Sequence, residues 1–85
     1  MRLVIRPAAR RDLGRLAPEV ADRVEQQVGA LEYDPRPPGC LLLRGQLPSA
    51  WRIRVGDWRI IYDISDEAGV VTILPILHRS VAYRH

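Results

Sequence analysis

The chain has 85 residues, 47% hydrophobic and 6% aromatic, with a formal net charge of +3. A chain this short buries about two-thirds of its unfolded surface, which supports one modest core of Leu, Val, Ile and Ala and predicts a single domain over residues 1–85. One cysteine, Cys40, excludes an intramolecular disulfide and fits a reducing compartment. With only His78 and His85 beside it, no metal-site spacing exists, and neither metal nor cofactor is expected. No run approaches the roughly 18 apolar residues of a membrane span, and the apolar run in MRLVIRP is too short for a signal peptide.

Leu3-Val4-Ile5 reads as a first strand, closed before Pro7. Pro7 suits a helix first turn, where its missing N–H costs nothing. A short helix through Arg10, Asp12, Leu13 and Leu16 follows, weakened by Gly14. Pro18 opens a second helix, with Glu19 and Asp22 in the turn where acids are favourable. Val20, Val24, Val28 and Leu31 recur at helical spacing and define its apolar stripe. Residues 7–34 hold four Arg and six acids, so the helical part is net negative and the positive charge lies elsewhere.

DPRPPG, residues 34–39, is a loop that cannot continue the helix. Residues 41–47 are ambiguous, because Gly45 and Pro48 interrupt them. Three strands follow, at 51–55, 58–64 and 70–77. Pro75 lies inside the last and requires a strand end, an edge or a bulge. The tail HRSVAYRH can form one helical turn. The predicted class is α+β, in the order β-α-α-β-β-β. Two N-terminal helices pack on a mainly antiparallel four-stranded sheet.

The hairpin WRIRVGDWRIIY, 51–62, carries the most information. A two-residue turn at Gly56-Asp57 pairs Val55 with Trp58, Arg54 with Arg59, Ile53 with Ile60 and Arg52 with Ile61. Paired residues share a face. One face then holds Trp51, Ile53, Val55, Trp58, Ile60 and Tyr62, and the other Arg52, Arg54, Arg59 and Ile61. Like charges placed opposite each other cost some tenths of a kcal/mol. Two readings stand. Loop acids such as Asp57, Asp63 and Glu67 neutralise a solvated face, or the face receives a phosphate backbone. All thirteen basic residues are arginine. That reflects either compositional bias or the suitability of a planar guanidinium for phosphate.

DPRPPG, LLLRGQ, WRIRVGDWRIIYDI and the HRSVAYR tail, in this order and over nearly the whole chain, resemble the RelE/ParE superfamily of bacterial toxin–antitoxin toxins. The resemblance implies a RelE-like fold and two candidate activities. RelE-like toxins are ribonucleases that cut messenger RNA in the ribosomal A site; ParE-like toxins poison DNA gyrase. The basic and aromatic positions of the ribonuclease branch correspond to Arg52, Arg54, Arg59, Arg79 and Tyr83, which favours that branch. The candidate catalytic set is Arg52, Arg59, His78, Arg79 and Tyr83, and the candidate RNA-binding set is Arg44, Arg52, Arg54 and Arg59. The implied partners are a cognate antitoxin, RelB-like or similar, in a hetero-oligomer, and the ribosome with its messenger, all in the cytoplasm. An inactive homologue that only binds an antitoxin is a further alternative.

The chain departs from the family pattern at two points. Arg52 stands where well-known relatives carry a lysine proposed as general base, and arginine does not deprotonate at physiological pH. The spacing from Arg79 to Tyr83 is shorter than the family's. Clustered arginines suit stabilisation of a pentavalent phosphate, and Tyr83 suits base stacking. Histidine is the side-chain type that titrates near neutrality. His78 is therefore the expected acid or base, against the alternative that it caps the strand end.

Overall fold

The computed structural model describes residues 1–43 and 50–82. The elements run β1 (Arg2–Ile5), α1 (Pro7–Gly14), α2 (Pro18–Ala30), β2 (Leu41–Leu42), β3 (Ala50–Val55), β4 (Trp58–Ser65), β5 (Val70–His78) and α3 (Arg79–Ala82). The strands form one sheet in the order β1-β5-β4-β3-β2. β1 lies parallel to β5, and every other pairing is antiparallel.

The α+β class and both N-terminal helices match the sequence expectation. The strand count does not: the sheet has five strands, not four. The added strand is Leu41–Leu42, paired with Trp51 and Arg52 on the edge of β3. Gly39, at φ +92, turns the chain out of the proline loop. The Leu43 N–H then donates to Ala50 O at 2.8 Å, closing the ladder. Two residues are too few to show a period of two, so this strand exists through its docking and not through its own pattern.

Pro7 and Pro18 each sit in the first turn of their helix. The first helix stops at Gly14, earlier than Leu16, and is closed by the Arg15 N–H donating to Asp12 O and the Leu16 N–H to Leu13 O. The helical layer contributes Ala9, Val24, Val28 and Leu31 to the core. The sheet contributes Ile53, Ile60, Tyr62, Ile64, Val71, Ile73 and Ile76. Full burial of such a side chain stabilises the fold by about 1.5–3 kcal/mol.

Tyr62 is fully buried, and its hydroxyl donates to Pro35 O at 2.8 Å. That bond pins the proline loop against the sheet. Arg36 fixes the same loop from outside, with Nη1 and Nη2 on the Asp66 carboxylate at 3.3 and 2.8 Å. Its guanidinium also lies 5.2 Å from the Trp51 ring centre.

Pro75 occupies a bulge. Ile60 pairs with Ile76 but Tyr62 pairs with Ile73, so Leu74 and Pro75 together oppose Ile61. β1 ends at Ile5, opposite Ile73, and leaves the Ile76 N–H without a strand partner. Asp12 of α1 replaces the missing strand there: its Oδ2 accepts from Ile76 N–H at 3.0 Å.

Candidate functional site

The β3–β4 ladder has the register expected from the sequence, with Arg52 opposite Ile61, Arg54 opposite Arg59 and Val55 opposite Trp58. The Gly56-Asp57 turn carries positive φ at Gly56 only, at +58, the pattern of a type II′ turn. Trp51, Ile53, Val55, Trp58, Ile60 and Tyr62 all belong to the core or pack against it. The helices therefore cover one face of the hairpin, and the arginines lie on the other.

The three arginines differ sharply in environment. Arg54 is exposed and Arg52 half-buried, whereas Arg59 retains 4% of its accessible surface. The Arg59 guanidinium turns back onto its own hairpin, with Nη1 donating to Gly56 O at 3.2 Å and to Trp58 O at 3.1 Å. Arg52 Nε is buried and makes no hydrogen bond among the described residues. Beside Arg52 and Arg54 lies an open groove of about 350 Å³, walled by Pro38, Gly39, Cys40, Leu41 and Ile53. Cys40 is half-buried against the core, which agrees with a packing role.

Among the described residues the ion pairs are Arg36–Asp66 and Arg79–Asp57. Arg52 and Arg54 enter neither. Of the loop acids considered as neutralisers, Asp57 turns instead to Arg79. The Arg79 N–H donates to Asp57 O at 2.8 Å, and Nε lies 3.7 Å from the exposed Asp57 carboxylate. Arg79 thus stands beside the hairpin turn at the start of α3.

His78 is held differently. It pairs with Trp58, and its ring meets the indole edge-on at a centroid distance of 5.2 Å. Paired residues share a face, so His78 lies on the Trp58 side of the sheet, across from Arg59. Its Nδ1 accepts from the Ser80 N–H at 3.3 Å and contacts Ser80 Oγ at 2.9 Å. A backbone N–H can only donate, so the neutral ring carries its proton on Nε2. Arg44 and Tyr83, both expected in the site, lie outside the described residues.

Sequence reasoning missed Arg23. This α2 residue packs on the hairpin turn, where a β-carbon built at Gly56 would fall 2.7 Å from its Nη2. The Glu19-to-Arg23 spacing of four signals a helix-surface ion pair, not a contact with a distant turn.

The family model described as the ParE toxin of the type II toxin–antitoxin system parDE matches residues 3–83. The chain belongs to this ParE toxin family. Toxin RelG of Mycobacterium tuberculosis is 40% identical over 77 residues, covering 89% of this chain and 87% of RelG. Among solved structures, the M. tuberculosis toxin–antitoxin complex RelBE2 has a chain that superposes with a TM-score of 0.80 at 33% identity, covering 92% of this chain and 96% of its own. The RelE–RelB complex from Pyrococcus horikoshii gives 0.81 at 27% identity, with 99% and 97% coverage. This ParE-family chain is a type II toxin with the RelE-like arrangement of helices packed on a mixed sheet. No helix among the described residues is long and apolar enough to cross a membrane.

Proposed function

We propose that this toxin is a ribosome-dependent messenger RNA endoribonuclease that needs no metal, acts in the cytoplasm as a one-domain protein, and is silenced by a cognate RelB-like antitoxin. The observation that carries the reading is the pair Arg52 and Arg54. Both project from the face opposite the core, and neither is neutralised by a described carboxylate. The complexes formed by the RelBE2 and P. horikoshii relatives support the antitoxin partner.

Cleavage requires loss of the 2′-OH proton, stabilisation of the pentavalent phosphate and protonation of the leaving 5′ oxygen. Arg52 and Arg54 supply fixed positive charge for the second task, with Arg79 beside the turn and Arg59 beneath. Arg44 extends the phosphate contacts, and Tyr83 stacks on a base. Arg52 does not exchange its proton, so it binds and orients. The ribosome contributes in-line positioning of the messenger, an effect worth as much as about 7–11 kcal/mol in well-oriented systems. His78 is the acid–base candidate, and its packing on Trp58 is the competing role. His78→Ala decides between them. A fall of about 100-fold in single-turnover rate assigns proton transfer to it; an unchanged rate leaves it as packing.

The description of the matched family favours a second reading, inhibition of DNA gyrase. Induced expression with transcript 5′-end mapping, run beside a supercoiling assay, separates the two. Ribosome-dependent cuts that disappear in the Arg59→Ala, Arg79→Ala double variant support the ribonuclease. Gyrase poisoning without cuts overturns it. Absence of growth arrest identifies an inactive antitoxin-binding homologue.

A further inference from the structure

Arg23 is the one basic residue of α2, and it sits among acids: Glu19, Asp22 and Glu25. Glu19 precedes it by four residues, the order that favours a helix-surface ion pair. No such pair forms. The Arg23 guanidinium instead crosses from the helical layer to the hairpin and rests on the Cα of Gly56. It accepts no partner there. Among the described residues Arg23 makes neither an ion pair nor a hydrogen bond, and the residue is exposed beside the turn.

Gly56 makes this approach possible for two reasons. Its φ of +58 disfavours a side chain, and a β-carbon would collide with Nη2 at 2.7 Å. The same turn is touched from its other sides by the Arg59 contact to Gly56 O and the Arg79 contact to Asp57. Three guanidinium groups from three elements thus converge on two turn residues. An exposed arginine that lies against a glycine, and leaves the acids of its own helix unpaired, is available to an anion that binds at the turn. Three guanidinium groups around two turn residues suit the repeated charge of a sugar–phosphate backbone.

We infer that Arg23 is an RNA-binding residue that grips a backbone phosphate flanking the cleavage position and carries the site around the hairpin turn onto the helical side. This rests on the ribonuclease reading for the identity of the ligand. The probe is a single-stranded RNA oligonucleotide, with affinity measured by fluorescence anisotropy across a salt series. Arg23→Ala should weaken binding and make the slope of log affinity against log salt shallower by about 0.7, the loss of one phosphate contact. Arg23→Lys should keep the wild-type slope, since it keeps the charge. Arg23→Gln serves the same test if the alanine variant loses its folded circular dichroism signal. A wild-type slope in both neutral variants, with a shallower slope in Arg54→Ala, overturns the Arg23 assignment and leaves the ribonuclease reading standing. Wild-type protein that shows no salt-dependent RNA binding and no ribosome-dependent cleavage overturns both.

Discussion

Arg54 stands directly opposite Arg59 in the β3–β4 ladder, yet the two guanidinium groups do not share an environment. Arg54 reaches solvent, while Arg59 is withdrawn to 4% exposure against the carbonyls of Gly56 and Trp58. The like-charge cost of the pairing is reduced by sending one member back into its own turn. One arginine becomes part of the hairpin, and the other remains available to a ligand.

That division predicts opposite profiles for the two alanine variants. Arg54→Ala should leave stability within about 0.5 kcal/mol of wild type and sharply reduce RNA cleavage. Arg59→Ala should cost about 1–3 kcal/mol, because two turn carbonyls lose their donor. Urea denaturation and a ribosome-programmed cleavage assay read the two effects. Equal destabilisation by both variants would contradict the division.

Arg52 is expected to act as an unchanging cation. Arg52→Ala should lower kcat/KM by about 100-fold, the usual consequence of removing one charge-stabilising donor. The shape of the pH–rate profile between about pH 6 and 9 should not change, because arginine does not titrate there. Disappearance of one limb of that profile in the variant would assign Arg52 a proton-transfer role and refute this expectation.

Asp12 substitutes for a strand beside Ile76, so its removal should be felt at the bulge. Asp12→Ala leaves the Ile76 N–H without its acceptor and should cost about 1–3 kcal/mol. Asp12→Asn retains an oxygen acceptor and should cost less. Amide hydrogen exchange at Ile76 locates the effect: fast exchange in the alanine variant alone is the expected result, and unchanged exchange counts against it.

The proline-loop clasp has a pH dependence of known sign. The Arg36 guanidinium holds the Asp66 carboxyl below its ordinary value of 3.8. A lowered acid contributes stability that is present above its unfolded value and is lost as pH falls through the folded one. The Arg36–Asp66 pair should therefore persist at neutral pH and open only in acid below the ordinary carboxylate range. Trp51, under the Arg36 guanidinium, reports the opening by fluorescence. Asp66→Asn should abolish that acid transition; a transition that survives the substitution belongs to another group.

Much of the site was legible in the sequence because the hairpin is locally determined. A two-residue turn and strict alternation set which residues share a face, and the observed ladder follows. Alternation gives a face but not a rotamer, so the withdrawal of Arg59 could not be read. His78 shows a different limit. Counting from the Tyr62–Ile73 pair without interruption would pair Arg59 with Ile76 and place His78 on the arginine side. The bulge at Leu74 and Pro75 shifts the count by one, so Trp58 meets His78 and the imidazole changes faces. Pro75 announced an irregularity, but not its size. The Arg36–Asp66 and Arg23–Gly56 contacts join residues 30 and 33 positions apart and leave no local trace.

The parallel pairing of β1 with β5 makes the first strand wait for the fifth. Residues Arg2 to Ile5 are synthesised 68 positions ahead of their ladder partners, Val70 to Ile73. β5 also fills the place between β1 and β4, so the sheet has no continuous centre until β5 has been made. Contacts this distant in sequence form late and cannot be anticipated by local structure. A growing chain therefore exposes its arginines on an incomplete scaffold, and this toxin matures only once β5 has been made.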